Sequence, residues 1–201
     1  MAASHALHSL TRINIVRVVA HLGSSVEYGL HCLLWLVGPL AEPASSRDLA
    51  NLQGVSPSFV AKIFPKLEKA GIVRASEGVR GGYRLAVPPS GVTVLDVVDA
   101  IEGKKPLFDC REIRGRCALF RGGAPAWSTN GVCAIHAVML RADQSMRSEL
   151  GRTTLADLAK TVAHKAPPSF AAEIRNWLAG RATARAERAP RRRSLRRNKG
   201  A

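Results

Sequence analysis

Apolar residues recur at helical spacing along most of the chain. The first such run covers 24–37, with Val26, Leu30, Leu33, Leu34 and Val37 on one face and Gly38 and Pro39 as its stop. Ser24 and Glu27 stand in the S-x-x-E arrangement of a capping box. A shorter amphipathic segment follows, with Ser46 as its expected N-cap, Leu49, Ala50 and Leu52 on one side, and Gly54 as terminator. Ser56 then opens another helix. Pro57 suits its first turn, Val60, Ile63 and Leu67 repeat at helical spacing, and Gly71 ends it. Pro65 lies inside that helix, where a missing N–H costs about 3 kcal/mol unless the helix kinks, so a bend is expected in its second half.

From Ile72 and Val73 the pattern turns strand-like. EGVRGG supplies a flexible turn with Arg80 at its tip, and 83–87 makes the return strand. Pro88 and Pro89 break the chain, Thr93 opens a helix carrying Val94, Val97, Val98 and Ile101, and Gly103 closes it. Residues 104–131 hold Pro106, Gly115, Gly122, Gly123 and Pro125 without periodicity and read as a long loop. Loops of that length in compact domains are functional or disordered. An apolar stripe returns over 132–150 with Ile135, Val138, Met139, Ala142, Met146 and Leu150, followed by a closing helix near 154–162 and a short FAAEIRNWL segment at 170–178.

Two short helices joined by a Gly-containing turn and followed by a hairpin form a winged helix-turn-helix. The fold class expected is therefore mainly α with a small β-hairpin wing, plus one long dimerisation helix. The second short helix would lie in a DNA major groove and present Ser56, Ser58, Lys62 and Lys66, while Arg80 and Tyr83 of the wing reach phosphates or a minor groove. A pair of helices with a hairpin also suits a small protein-interaction module. The expected organisation is an N-terminal extension at 1–22, the DNA-binding domain at 23–103, a loop at 104–131, a dimerisation and closing helix at 132–163, and a basic disordered tail at 164–201.

Charge adds a partner to this picture. The 201 residues carry a formal +15, and 181–201 alone hold nine Arg or Lys against one Glu. Such a segment has too few apolar residues to fold alone and can hold DNA by counterion release, or serve only as a solubilising tail. Residues 1–23 have no acid and loosely resemble a transit peptide. With no membrane-length apolar run and no clear signal sequence, a soluble, cytoplasmic protein is expected. There is no G-x-S-x-G, H-E-x-x-H or phosphate-loop pattern, and the Gly-rich EGVRGG lies in a hairpin, so an enzyme is not expected.

The cysteines bring chemistry. Cys110, Cys117 and Cys133 with His136 form C-x6-C-x15-C-x2-H, in which the last Cys begins the long helix and His136 follows one turn later. Thiolates and imidazole hold zinc or iron–sulfur clusters; lacking a C-x2-C knuckle, the spacing argues only weakly for a zinc ribbon and is compatible with a cluster or with free thiols. Glu27 and His31 are four apart on one helix face, where a carboxylate and an imidazole can reach a metal held elsewhere; the plainer role for Glu27 is the capping box.

With LGSSVEYGLHCLL, DLANLQGVSPSFVAKIFPKLEKAGIV, VRGGYRLAVPPSGVTVLDVVDAIEG, the CREIRGRC loop and TTLADL in view, the chain resembles the winged-helix iron–sulfur transcription regulators of the IscR, NsrR and RsrR type, the Rrf-two family, over about residues 22–162. The resemblance implies a homodimer whose long helices pair on a palindromic double-stranded promoter site, with repression or activation dependent on a cluster. Cys110, Cys117 and Cys133 match the family's three ligand cysteines, although the family's usual spacing is shorter. His136 matches the histidine of the IscR type, and Glu27 and His31 match the carboxylate and imidazole that the RsrR type supplies across the dimer. The implied assembly is a [2Fe–2S] redox sensor held by Cys110 and Cys133 of one subunit and Glu27 and His31 of the other, with Cys117 or His136 as substitutes. A nitric-oxide- or iron-sensing [4Fe–4S] regulator and a cluster-free thiol-based repressor are the alternatives.

Overall fold

The structure is a computed structural model that describes residues 22–197, with side chains described as far as residue 188. The N-terminal extension and its transit-peptide reading lie outside the described residues except for Leu22, as do 198–201. The elements are α1 (Ser24–Leu34), α2 (Ser46–Gln53), α3 (Pro57–Lys69), β1 (Val73–Ser76), β2 (Gly82–Leu85), α4 (Val94–Glu102), α5 (Ala126–Thr129), α6 (Ala134–Arg152), α7 (Leu155–Lys165) and α8 (Phe170–Arg197). This is the mainly helical fold with a two-stranded antiparallel wing that the pattern predicts, with Val73 opposite Leu85 and Ser76 opposite Gly82.

The core forms where α1, α2, α3 and α4 meet. Leu33, Leu49, Val60, Phe64, Leu67 and Val97 are fully buried, and the Phe64 ring packs on Tyr83 of the wing with centroids 4.8 Å apart. Gly54 ends α2 at φ 72, a left-handed backbone that costs glycine nothing, and so turns the chain into α3. Gly82 allows the wing to approach the segment before α2. A Cβ there would lie 2.6 Å from the Ala44 backbone, which exchanges two hydrogen bonds with Tyr83 at 3.1 and 2.8 Å.

Helix ends differ from the sequence reading in small, explicable ways. Gly23 takes the extended N-cap position of α1 and Ser24 is already helical, so the expected Ser24–Glu27 capping box does not form. Past Leu34 the chain tightens, with the Leu36 and Val37 amides donating to carbonyls three residues back. Ser45, not Ser46, caps α2 by accepting from the Asp48 amide at 3.1 Å. Helix α3 runs through Pro65 without interruption. Both Pro65 and Ala61, whose carbonyl loses its donor, are on the exposed side, where water replaces the bond. Capping boxes at Thr93/Asp96 and Thr154/Asp157 start α4 and α7, and the two helix starts are stitched together by Val94 N–H to Thr153 O at 2.8 Å and Leu155 N–H to Val92 O at 2.9 Å.

The disordered tail expected from 164 onward is not what the structure contains: α8 spans 28 residues. Composition misled because Ile174, Leu178 and Ala182, each four apart, form a stripe against the core, with Leu178 and Ala182 buried. Two of the arginines in that basic segment are anchors. Arg181 Nε donates to Asp48 Oδ1 at 3.0 Å, and Arg185 pairs with Asp48 Oδ2. Asp48 is 2% exposed, so its charge is tolerable only with such partners. Replacing Asp48 with Ala leaves Arg185 without its carboxylate and weakens the α2 start; a loss of about 1–3 kcal/mol is expected in a urea titration of the purified protein.

Candidate functional site

The helix-turn-helix and wing make one face. Ser56 and Ser58 at the start of α3 are exposed, their hydroxyls 2.8 Å apart, and Lys62 is exposed one turn later. Phe59 between them is 44% exposed with its ring edge-on to Tyr28 of α1. Lys66 is exposed too, but its ammonium donates to the Ile101 carbonyl at 2.7 Å and braces α3 against the end of α4. Arg80 stands exposed at the hairpin tip, 3.5 Å from Glu42. Tyr83 is half-buried, and its hydroxyl is pushed to higher pKa by desolvation and then by Glu68. It serves the wing as packing against Phe64. Arg84 holds the wing root by donating to the carbonyls of Leu40 and Ala41 at 2.6 and 2.7 Å.

The thiol-bearing loop lies on another part of the molecule. Cys110 and Cys133 are half-buried and Cys117 is exposed. The organiser is Arg114, which nothing in the CREIRGRC pattern distinguishes from Arg111 or Arg116. Its guanidinium grips Glu112 at 2.6 and 2.9 Å and donates to the carbonyls of Thr129, Asn130 and Gly131, tying the Cys110 side of the loop to the segment that leads into Cys133. The bond to Glu112 is the largest cause holding Arg114 above the usual guanidinium range, with the Glu112 charge and then Cys133 and Cys110 adding to it. Glu112 adopts φ 45, an uncommon left-handed backbone for a side chain of its size, and Arg114 holds its carboxyl below the ordinary range.

Cys133 is the N-cap of α6 and makes no capping hydrogen bond. His136, one turn on, packs beside Phe108 with ring centroids 6.2 Å apart. Glu27 and His31 are exposed on α1. Among the described residues, no three of His, Cys, Asp or Glu converge as a metal site within one protomer. The thiols of Cys110, Cys117 and Cys133 are soft donors of the kind that suits iron. Arg147 links the loop's helix to the DNA-binding domain by a bidentate pair with Asp99 of α4 at 2.9 and 2.7 Å. This pair also had no signature in the spacing of the sequence.

A family model for iron-dependent transcriptional regulators, Rrf2, matches residues 22–161. The chain belongs to the Rrf2, or Rrf-two, family. The Rrf2 protein of Nitratidesulfovibrio vulgaris is 31% identical over 135 residues, covering 67% of this chain and 83% of the relative. Among solved structures, B. subtilis CymR, the global cysteine regulator, superposes with TM-score 0.55 at 22% identity, covering 71% of this chain and 98% of the other. T. potens IscR gives TM-score 0.55 at 21% identity, with 74% and 93% coverage. At those identities the two share the winged-helix fold. This Rrf2-family member is a DNA-binding transcriptional regulator, and its relatives are regulators, not enzymes. No helix among the described residues is long and apolar enough to cross a membrane.

Thiol reactivity should follow burial. Cys32 is fully enclosed near Leu49, and burial pushes its thiol up to about 12. In the metal-free native protein at pH 8, iodoacetamide should modify Cys117 first, Cys110 and Cys133 more slowly, and Cys32 only after unfolding, as read by peptide mass spectrometry. Arg114→Gln should open the loop, so that limited proteolysis within 104–131 accelerates while the α1–α4 core remains protected.

Proposed function

We propose that this Rrf2-family protein is a cytoplasmic homodimer that reads a palindromic promoter site, acts as a repressor, and switches its DNA affinity through a [2Fe–2S] cluster held between protomers. The observation that carries this reading is the division of the donors. Cys110 and Cys133 flank Arg114, while Glu27 and His31 stand exposed on α1 with no partner among the described residues. A second copy is the economical source of the missing half, with Cys117 or His136 as substitutes.

Exposed apolar surface supports the pairing. In α6, Ile135, Val138 and Leu140 are half or more exposed, while Met146 and Leu150 at the other end are partly covered. Covering such residues in a dimer stabilises by roughly 1–2 kcal/mol apiece. Leu119 and Trp127 of the loop are 83% and 76% exposed, which suits a surface completed by a partner.

The cluster would supply a one-electron redox centre, and imidazole in place of thiolate raises its potential. The residues of the chain supply the linkage. Cys133 begins α6, Arg147 of α6 grips Asp99 of α4, and Lys66 of α3 holds the end of α4 at Ile101. A shift at the loop therefore reaches α3 through two polar ties, and a differential DNA affinity of a few kcal/mol is enough to switch occupancy. A cluster-free thiol switch is the second reading, favoured by the exposure of Cys117 and by the lack of three converging donors among the described residues of one protomer.

Protein purified without oxygen should contain two iron and two sulfide per subunit and give a reduced-state EPR signal that Cys110→Ala and His31→Ala both abolish. Four iron and four sulfide, retained in His31→Ala, would indicate the three-cysteine [4Fe–4S] form sensing nitric oxide or iron. A colourless, iron-free protein that still binds its promoter would support the thiol switch. Arg80→Ala should weaken binding to many sequences and reduce the salt slope by about one unit.

A further inference from the structure

The proposed function leaves α8 unused. It lies beyond the family match, which ends at residue 161. Its first half is anchored: Phe170 packs edge-on to Trp35 of α1, Leu178 and Ala182 are buried, and Arg181 and Arg185 converge on Asp48 at the start of α2. The direction of the helix follows from those contacts. Phe170 is at the end of α1, Arg181 at α2, and Arg185 also reaches Ser45 Oγ and the Pro43 carbonyl, both at 3.4 Å. Residues 42–45 are the strip against which the wing is docked, through Ala44 with Tyr83 and Glu42 with Arg80. Helix α8 therefore arrives at the side of the wing, and Arg80 and Arg185 approach the same four-residue strip.

The helix does not stop there. It continues to Arg197, a further 12 residues or about 18 Å. Residues 186–197 contain six arginines and one glutamate, and no apolar periodicity that would pack them on the core. Arg188, the first of the six, is exposed. A run of like charge held in a helix repels itself, and that cost is relieved by a polyanion. Duplex DNA presents about one phosphate charge per 1.7 Å of axis, so a rod of this length can lie along several phosphates at once.

We propose that α8 is a second DNA-contacting element: its anchored half fixes the arginine-rich segment 186–197 beside the wing, where it binds backbone phosphates flanking the site that α3 reads. It carries no base specificity. It lengthens the footprint by a set distance, which a disordered basic tail would not do. The inference rests on α3 and the wing being the DNA-facing side.

The test uses the full chain, purified without oxygen, and two variants, with affinity for promoter duplexes of long and short flanks measured by fluorescence anisotropy between about 50 and 200 mM salt. In the first variant Arg191, Arg192, Arg193, Arg196 and Arg197 are each changed to Gln. At about 0.9 units per phosphate contact, the salt slope should fall by up to about 4.5 units per protomer for the five arginines, and the preference for long flanks should vanish while discrimination against scrambled sites persists. In the second, Arg181→Gln with Arg185→Gln releases the anchor and leaves the terminal charge unaltered; binding should remain salt-dependent but lose its preference for a defined flank length. An unchanged slope in the first variant overturns the contact, and an unchanged flank preference in the second overturns the fixed placement. Failure of the unmodified chain to prefer its promoter at any salt would instead count against α3 and the wing as the reading face. Arg80→Ala serves as the control that separates the two failures.

Discussion

Asp48 sits 2% exposed at the third position of α2, and a carboxylate that deep must be answered by donors or the helix would not seat. Ser45 answers locally: its hydroxyl accepts from the Asp48 amide and donates to the carboxylate at 2.6 Å. Arg181 and Arg185 answer from more than 130 residues away. One buried charge thereby sets the start of the helix-turn-helix, ties the C-terminal helix to it, and holds the 42–45 strip between α8 and the wing. The orientation of α3 relative to the wing depends on the same region, because Tyr83 both pairs with Ala44 and packs its ring on Phe64.

A second set of polar ties reinforces the apolar core and extends from it to α6 and the cysteine-bearing loop. Arg114 converts a loop with little regular structure into a folded unit by satisfying three consecutive carbonyls and a carboxylate, which accounts for an ordered path through residues rich in glycine and proline. Arg147 with Asp99 and Lys66 with the Ile101 carbonyl then connect α6 to α4 and α4 to α3. Helix α6 buries no residue fully within one protomer; the Arg147–Asp99 pair, the half-buried Met146 and Leu150, and the Val94 N–H to Thr153 O bond at its end hold it to the DNA-binding domain. An element attached in this way can transmit a displacement, because a bidentate pair preserves direction where a single apolar contact would slide.

Local pattern was a good guide wherever local physics decides. The 3.6-residue periodicity, the Gly54 stop, Pro57 at the first turn and the Thr93 cap were all legible, and so was the hairpin with Arg80 at its tip. The cysteine positions and their relation to the start of α6 could be read from spacing alone. Lys66 could not: periodicity put it on an outer face, but a long side chain can turn back to a carbonyl, and only the position of α4 shows that one lies within reach.

The sequence by itself determined α1 to α4, α6, α7 and the wing, where the thiols fall along the chain, and that much of the positive charge gathers near the end, since propensity, capping and composition act over a few residues; α5 and α8 it did not determine. Tertiary structure decided what those charges do. Arg114, Arg147, Arg181 and Arg185 look alike in a list of basic residues, and each acquires its role from an acceptor 2 to 137 positions away that the fold brings within 3.5 Å. The same holds for α8, whose composition suggests a solvated tail until Asp48 and the α1–α2 surface are there to receive it. Electrostatic pairing and burial depend on distance in space, and that distance does not exist until the chain has folded.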